Sequence, residues 1–332
     1  MGKLSDAKLN EMFRHIKKNP KVVIPPTPGY DSGVHIMDEN HFWVVSTDPC
    51  IGVPEKWFGW LLVHYAASDV ALFGATPEFC TITLLGPTQA EADDFIAIMK
   101  QVFSAVDELG MTVVTGHSGT YDGISTFVGS CTAYGKVTKE NLITPGGAQA
   151  GDNIICTKHL GLETAVAFTF KRRRVAEKLF GFTRTNTLQK LVQKQSCVKE
   201  ASLLADLDGI HSMHDASEGG FVAALNEMGR NSGLGLRIEW EMLPILDEVL
   251  ILQKSFDLNQ RELLSISSTG TLLAAVDPCV KDEALRKLEK QGIEAHCIGA
   301  FTKRKESVLV KECGCSTFPK VAEDPYSKIM MK

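Results

Sequence analysis

The sequence predicts an α/β (α+β) protein of two domains. Strand-like and helix-like runs alternate through both halves of the chain, and its 332 residues exceed what a single hydrophobic core usually supports. A Pro-Gly-Gly break at residues 145–148 separates the halves, and hydrophobic residues make up 44% of the chain, which is enough for two buried cores. We therefore expect domains at residues 1–147 and 148–332.

In the amino-terminal half, strand-like runs alternate with two helical patterns. The first helical pattern spans residues 57–73. The second spans residues 89–109 and repeats apolar side chains along one face. The predicted strands are residues 42–46, 78–84, 112–115 and 126–136.

The carboxyl-terminal half repeats this alternation. A helical pair is predicted within residues 187–207, and another helix opens after Glu218. Residues 280–291 form an amphipathic pattern that Gly292 ends. The predicted strands are residues 153–157, 235–239, 270–276 and 293–301.

Composition and charge exclude several classes of function. A net charge of -5 argues against a general nucleic-acid partner. No apolar stretch is long enough to span a bilayer, and the first nine residues are polar, without the hydrophobic core of an export signal. Nine cysteines in such a chain suit a reducing compartment. We expect a cytoplasmic protein that binds neither nucleic acid nor membrane.

Five acidic residues in short, small-residue contexts are the most informative feature of the chain. Magnesium prefers oxygen ligands and takes one or two carboxylates together with phosphate oxygens and water. Several carboxylates of this kind therefore indicate more than one ion and point to phosphate chemistry. The five candidates are Asp31, Asp48, Asp69, Asp215 and Glu218.

Two of these acids have local settings that suggest a role. Asp69 lies among alanines inside the first helical pattern, where an unpaired buried carboxylate would cost several kcal/mol, so it must meet a cation or hydrogen-bond donors. The alternative is a surface aspartate. Thr47 and Asp48 end a strand, where functional groups often collect, although an ordinary turn acid would look the same.

Residues 113–123 form an apolar strand that runs into a turn rich in glycine and hydroxyl groups. Such turns expose backbone N–H groups that suit phosphate oxygens, which makes Gly116 and Ser118 candidates. The run lacks the lysine of a P-loop, and a tight hairpin is the alternative. His117 is open to a role as metal ligand, phosphate contact or general acid, or to a plain hydrogen bond.

A second glycine-containing motif, at residues 215–220, precedes a predicted helix. Ser217 and Glu218 at a helix entrance are also typical of helix capping. Two acids, a hydroxyl group and the pair Gly219 and Gly220 provide more than capping requires. The motif therefore favours phosphate and metal binding.

The order of these motifs resembles the aminoimidazole ribonucleotide (AIR) synthetase-like superfamily. That superfamily includes thiamine-monophosphate kinase, selenophosphate synthetase and the hydrogenase-maturation carbamoyl dehydratase, and the resemblance covers roughly residues 27–301. The carboxyl-terminal half looks most like the carbamoyl dehydratases. The motifs that carry the resemblance are residues 29–31, 46–48, 68–77, 115–118, 150–152, 215–220, 225–227 and 233–235.

The resemblance implies a two-domain AIR synthetase-like fold, with an amino-terminal sheet domain that dimerises and a carboxyl-terminal α/β sandwich domain. It implies ATP and Mg²⁺ as cofactors and a homodimer that acts on a small-molecule substrate. The implied metal ligands are Asp31, Asp48, Asp69, Asp215 and Glu218. The implied nucleotide contacts are Thr47, Gly116, Ser118, Ser217, Gly219 and Gly220, and the implied catalytic positions are Asp48, Asp215 and His117.

The sequence also departs from the superfamily pattern. His117 stands where relatives usually place an acid, and Tyr30 replaces a frequent aspartate. The dehydratases end in a reactive cysteine, whereas this chain ends at Lys332 after two methionines. Cys313 and Cys315 flank a glycine, but one such pair is a weak signal for zinc. Classical substrates therefore do not follow from the resemblance.

Two hypotheses for function remain from the sequence. The preferred one is an ATP-dependent, Mg²⁺-requiring enzyme that phosphorylates or activates a small-molecule, carbamoyl or amide oxygen, as a synthase, dehydratase or kinase. The alternative is a non-catalytic nucleotide-binding factor that assists a partner protein in maturing a cofactor or metalloenzyme, with His117 and Tyr30 as marks of lost catalysis.

Overall fold

The computed structural model describes residues 4–331, which divide into two compact units. The first unit covers residues 12–142. The second comprises residues 4–11 and 143–331. Each unit contains its own β-sheet, and a short helix α1 (Asp6–Phe13) begins the chain. The predicted α/β (α+β) class is confirmed.

The first unit is a six-stranded sheet in the order β1-β2-β3-β6-β4-β5. Strands β4 and β5 are parallel, and the other neighbours are antiparallel. Both predicted helices are confirmed. The elements are β1 (Val22–Ile24), β2 (Gly33–Ile36), β3 (His41–Ile51), α2 (Phe58–Leu72), β4 (Thr76–Gly86), α3 (Ala92–Leu109), β5 (Thr112–Thr120) and β6 (Val128–Thr138).

The two faces of this sheet differ because side chains alternate along each strand. On the inner face, Val44 and Cys50 of β3 are buried, and α2 packs against this strand and β6. The opposite face is partly exposed. It carries an aromatic cluster in which the rings of Trp43 and Tyr134 lie 5.7 Å apart and those of Tyr134 and Phe79 lie 5.4 Å apart. We call this the open face.

Strand β5 corrects one expectation from the sequence. Gly116, His117 and Ser118 do not lie in a turn, because parallel pairing with β4 continues as far as Thr120. The register shifts where Thr115 follows the exposed Val114, and the strand resumes beyond that irregularity. The glycines and hydroxyls that suggested a turn lie instead along an exposed edge strand.

The second unit is a seven-stranded sheet in the order β13-β12-β9-β11-β7-β10-β8, antiparallel except where β12 meets β9. Its strands are β7 (Asn153–Thr157), β8 (Ile210–Asp215), β9 (Gly235–Glu239), β10 (Leu272–Val276), β11 (Ala295–Thr302), β12 (Val308–Lys311) and β13 (Gly314–Thr317). Its helices are α4 (Leu162–Lys171), α5 (Arg173–Phe180), α6 (Phe182–Lys190), α7 (Val198–Ala205), α8 (Gly220–Ser232), α9 (Asp247–Ser255), α10 (Gln260–Leu264), α11 (Lys281–Lys290) and α12 (Tyr326–Met330).

Both faces of the central strands in this sheet are covered. Ile154, Cys156 and Leu273 share a core with Phe221 and Leu225 of α8, while α7 packs on β8 and α11 on β11. Strand β10 is buried along its whole length, as expected for a strand with both faces covered. Among the described residues, no helix combines the length and the apolar character needed to cross a bilayer.

The exposed cysteines lie at the periphery of this unit. Cys313 and Cys315 occupy the hairpin between β12 and β13, where Cys315 pairs with Val310. Cys279 is also exposed, in the turn before α11. Cys156, by contrast, is fully buried, and burial raises its pKa far above the usual range for a thiol, so it behaves as a small apolar side chain.

A buried ion pair connects three segments of the second unit. The ammonium group of Lys158 lies 2.6 Å from Glu200 Oε1, and both side chains are less than a tenth exposed. It also donates to the carbonyl oxygens of Lys194, Ser196 and Gly270 at 2.9, 2.6 and 2.6 Å. These contacts compensate for the desolvation of the charge, which would otherwise be costly.

Replacing Lys158 with Met should lower the free energy of unfolding by about 3–5 kcal/mol, because the change leaves the Glu200 carboxylate buried without its cation. Urea denaturation followed by circular dichroism measures the effect. Lys199→Met is the matched control, next to Glu200 on α7, because Lys199 is exposed and the change should cost less than about 0.5 kcal/mol. Equal denaturation midpoints for the two variants would contradict the role of the pair.

Candidate functional site

The inner face of the first sheet holds Asp69 in a defined position. Ser46 Oγ lies 2.7 Å from Asp69 Oδ2 and 3.0 Å from the backbone oxygen of Asp31. Asp69 is 6% exposed, near the carboxyl end of the buried helix α2. The expectation that a carboxylate in this setting meets a hydrogen-bond donor is confirmed.

Strand β3 directs its polar side chains to opposite faces. Asp48 is two residues from Ser46 and therefore shares the inner face with it. Thr47 points to the open face, where its hydroxyl lies 2.8 Å from that of Thr132 on β6. The structure thus brings Asp48 and Asp69 to one side of the sheet, and it turns the hydroxyl of Thr47 away from them.

A pair of thiols lies beside Asp48 on the inner face. Cys131 is directly opposite Asp48 in the register of β3 and β6. The pKa of Cys131 is raised far above its usual range, first by its hydrogen bond with Cys80, then by burial, with a further contribution from the negative charge of Asp48. This thiol remains protonated and is not a nucleophile at neutral pH.

His117 lies on the exposed edge strand β5. Its Nε2 atom is 2.6 Å from the hydroxyl of Tyr121, a partner that the sequence did not indicate. Strands β4 and β6 separate β5 from β3, so His117 and Asp48 are about 14 Å apart at the usual strand spacing. Within one chain, the structure does not bring these two catalytic candidates together. Gly116 and Ser118 lie beside His117 on the same edge strand.

In the second unit, the motif at residues 215–220 joins β8 to α8. Asp215 is buried at the end of β8, and the hydroxyl of Ser217 donates to its Oδ1 at 3.2 Å. Gly219 and Gly220 both adopt positive φ angles, +78° and +56°, and a Cβ on Gly220 would lie 2.4 Å from the carbonyl oxygen of Ile266. The N-cap residue is Gly219, without a side-chain cap, so the motif is not explained by helix capping.

Two acids that the sequence analysis missed surround this glycine turn. The backbone N–H of Gly219 donates to Asp324, which also accepts from the hydroxyl of Ser267. Glu163 accepts a hydrogen bond from the hydroxyl of Thr269 at 2.6 Å. Burial raises the pKa of Glu163 to about 7, and the nearby carboxylates of Asp324 and Glu218 add to the effect.

A histidine that the sequence analysis also missed directly precedes Asp215. His214 is buried, its Nε2 lies 2.9 Å from Glu227 Oε2, and its Nδ1 lies 3.6 Å from Asp215 Oδ1. The signal was present in the sequence as His-Asp followed by an Asn-Glu pair in the next helix, at residues 226–227. Only the packing of α8 against β8 shows that the histidine and the glutamate meet.

The donor sets of the two units differ in their suitability for magnesium. In the first unit, the carboxylates of Asp48 and Asp69 and the hydroxyl of Ser46 share the inner face and provide oxygen ligands that fit Mg²⁺, whereas the protonated thiol of Cys131 beside Asp48 is a poor ligand. In the second unit, Oδ1 of Asp215 has both the hydroxyl of Ser217 and the ring nitrogen Nδ1 of His214 near it. The N–H groups of Gly219 and Gly220 are bonded to Asp324 and to the carbonyl oxygen of Ser217, and the turn leads into the first residues of α8, where helix N–H groups of the kind that bind phosphate are found.

Two family models match the chain. The AIR synthase related protein N-terminal domain matches residues 29–137, and the AIR synthase related protein C-terminal domain matches residues 149–312. Together they cover most of the chain. The chain belongs to the AIR synthase-related family.

Curated relatives of this AIR synthase-related protein include enzymes. It is 28% identical over 258 residues to MJ0676 of Methanocaldococcus jannaschii, named for hydrogenase expression/formation, covering 76% of this chain and 72% of the relative. It is 27% identical to the carbamoyl dehydratase HypE of Cupriavidus necator, covering 82% of this chain and 76% of the relative. It is 26% identical to the selenide, water dikinase of Dechloromonas aromatica, covering 68% and 63%.

Solved structures confirm the AIR synthase-like fold. HypE in a HypE–HypF complex has a TM-score of 0.76 at 17% identity, covering 95% of this chain and 100% of that one. HypE in complex with ATP has a TM-score of 0.69 at 18% identity, covering 98% of this chain and 97% of that one. AaThiL complexed with AMPPCP and TMP has a TM-score of 0.67 at 18% identity, covering 85% and 87%.

The raised pKa of Glu163 predicts a pH dependence of stability. Since the pKa in the folded state is about 7 against an ordinary 4.5, the stabilisation by the protonated acid is complete below pH 4.5 and is lost as the pH rises through about 7. Between about pH 5 and about pH 8, Glu163→Gln should lose about 1–3 kcal/mol less of its unfolding free energy than the wild type loses.

Urea denaturation at both pH values measures this difference. Glu283→Gln is the control, because Glu283 is exposed on α11 and its replacement should leave the pH dependence unchanged. Parallel curves for the wild type and Glu163→Gln would show that Glu163 titrates as an ordinary glutamate.

Proposed function

We propose that this protein is an ATP-dependent enzyme that uses divalent cations to phosphorylate or activate a carbamoyl, amide or other small-molecule oxygen. The observation that carries the proposal is the buried carboxylate of Asp69, held by Ser46 on the same face of β3 as Asp48. A charge buried at this position has a cost in stability, and binding a cation offsets that cost.

The proposed roles follow the chemistry of each group. Asp31, Asp48 and Asp69 would hold Mg²⁺ through oxygen atoms, and Asp215 and Glu218 would ligate a cation that also binds phosphate oxygens. The turn formed by Ser217, Gly219 and Gly220 would bring phosphate oxygens to the first backbone N–H groups of α8. Gly116 and Ser118 would contact phosphate from the exposed strand β5, and Thr47, whose hydroxyl faces away from Asp48, would contribute through its backbone. His117, paired with Tyr121, would contact substrate or phosphate from a neighbouring position on the edge strand.

Phosphoryl transfer needs mainly positioning and neutralisation of charge from the protein. A buried carboxylate on the same side of the sheet as a strand carboxylate would supply the cation positions, and the start of α8 would supply oriented N–H groups. Similar proteins named carbamoyl dehydratase and selenide, water dikinase, and structural neighbours in complex with ATP or AMPPCP, support a nucleotide as the shared ligand.

Mg²⁺ together with ATP should raise the melting temperature of metal-free protein by several degrees, while either alone should have a smaller effect. The physical reason is that a ligand at about 100 times its Kd stabilises the folded state by about 2.7 kcal/mol. Differential scanning fluorimetry measures the shift. Asp48→Asn and Asp215→Asn should each abolish most of it.

Asp69 provides a matched comparison for the same assay. Asp69→Ala should weaken nucleotide binding at least about 10-fold, the scale of loss for a group that supports a metal site. Asp93→Ala on α3 should leave the binding unchanged, since Asp93 is exposed. Equal effects of the two changes would mean that Asp69 is an ordinary acid and would remove the observation on which the proposal rests.

Turnover separates an enzyme from a non-catalytic assembly factor. The purified protein would be incubated with Mg²⁺-ATP, with and without a library of amides, carbamates and phosphate esters, while release of ADP or phosphate is followed. Substrate-stimulated release supports the enzyme. Tight nucleotide binding without release supports the assembly factor, for which the similarity to HypE in a HypE–HypF complex suggests a maturation partner.

The open face should mediate a homodimer. Light scattering should give twice the chain mass of 36.3 kDa. Tyr134→Arg should give a monomer, because it places a charge within the aromatic cluster of the open face. Phe103→Arg is the control on the helical layer, where Phe103 is 50% exposed, and should leave the dimer intact. A wild-type monomer would rule out this assembly.

A further inference from the structure

The residues around Asp215 do not match an ordinary magnesium site. His214 Nδ1 lies 3.6 Å from Asp215 Oδ1, and both side chains are about 95% buried at the end of β8. Two atoms that ligate one ion at about 2.1 Å each are separated by about 3–4 Å, so this spacing suits a shared ion. Mg²⁺ selects oxygen ligands, whereas imidazole is a ligand for first-row transition metals.

The hydrogen bond on the far side of the ring sets its tautomer. His214 Nε2 lies 2.9 Å from Glu227 Oε2, and a carboxylate only accepts hydrogen bonds, so Nε2 carries the hydrogen and donates it. The lone pair of the neutral ring is then on Nδ1, the atom on the side of Asp215. A carboxylate that holds a histidine in this way is the usual support for a metal-ligating imidazole.

We propose that His214 and Asp215 together ligate a first-row transition metal ion, with Glu227 as the positioning residue that fixes the tautomer of His214. Phosphate oxygens and water complete the coordination. The proposal rests on the proposed function in one respect, since it takes Asp215 as a cation ligand. It deepens that function by assigning a mixed nitrogen and oxygen site to the second unit and an all-oxygen site to the first.

A second histidine on the same strand shows what distinguishes this pair. His211 Nδ1 lies 3.0 and 2.9 Å from the two carboxylate oxygens of Asp152, so that nitrogen donates its hydrogen to the acid. His211 is also paired with a carboxylate, but its Nδ1 directs an N–H group toward that acid, whereas Nδ1 of His214 directs a lone pair toward Asp215. It is therefore an internal control for any effect of a histidine and carboxylate pair on metal binding.

The test measures metal binding without nucleotide and without activity. Metal-free protein is titrated with Co²⁺ and with Mg²⁺ by calorimetry, and Mn²⁺-loaded protein is examined by pulsed electron paramagnetic resonance for coupling to ¹⁴N. His214→Gln keeps a donor for Glu227 while removing Nδ1, and His211→Asn is the matched control. Glu227→Gln tests the positioning residue.

We expect nitrogen coupling in the wild type and in His211→Asn, and none in His214→Gln. His214→Gln should lower Co²⁺ affinity at least about 10-fold, with a change in Mg²⁺ affinity below about 3-fold, and Glu227→Gln should lower Co²⁺ affinity about 10-fold. Wild-type protein without nitrogen coupling, or unchanged Co²⁺ binding by His214→Gln, would overturn the proposal. If His214→Gln fails to fold, the nitrogen coupling of the wild type and the Co²⁺ affinity of Glu227→Gln still test the proposal.

A parallel titration with a non-hydrolysable ATP analogue separates the two proposals. Nitrogen coupling without any stabilisation by the analogue would support this metal site and would count against the nucleotide-dependent function. Stabilisation by the analogue and Mg²⁺ without nitrogen coupling would support the function and would exclude His214 as a ligand.

Discussion

The buried ammonium group of Lys158 holds three segments of the second unit together. It joins the end of β7 to the segment before α7 and to the loop before β10, through Glu200 and three carbonyl oxygens. Lys158 itself has a φ angle of +54°, a conformation that L-residues rarely adopt, so the surrounding contacts must hold it there. The chain then turns directly into α4, which carries Glu163.

This junction determines the surroundings of the glycine turn. Thr269 and Gly270 follow Ser267 in the same loop; Thr269 holds Glu163, and Ser267 holds Asp324, which accepts the N–H of Gly219. The turn is therefore fixed by a lysine and two loops that are distant in sequence. Substitutions at these supporting positions would alter the acidic surroundings of the turn without touching Asp215.

The sequence predicted those parts of the structure that depend on local patterns. The buried aspartate in α2 and the amphipathic repeats of α3 and α11 were recognised because apolar spacing and nearby small residues are local signals. The β12–β13 hairpin was missed because its strands have four residues each. In β5, glycine and serine indicated a turn, but parallel pairing with β4 decided the conformation.

The parts of the site that the sequence could not predict depend on contacts between distant segments. Nothing local indicates that Asp324 reaches Gly219 or that Glu227 holds His214, since both contacts arise from tertiary packing. The separation of His117 from Asp48 by two strands depends on the order of the sheet, which motif order does not specify. Family resemblance indicated which residue types matter, and the packing shows which of them have partners.

The alternation along β3 has a consequence for how this protein can change. Thr47 and Asp48 are neighbours whose side chains point to opposite faces of the sheet. Strand β3 pairs with β6 from His41 to Ile51 without a bulge. A single inserted or deleted residue in that span would exchange the two faces, moving the aspartate outward and a hydroxyl inward. Such length changes should be absent from functional variants of this strand, while point substitutions at its outward positions leave the placement of Asp48 unchanged.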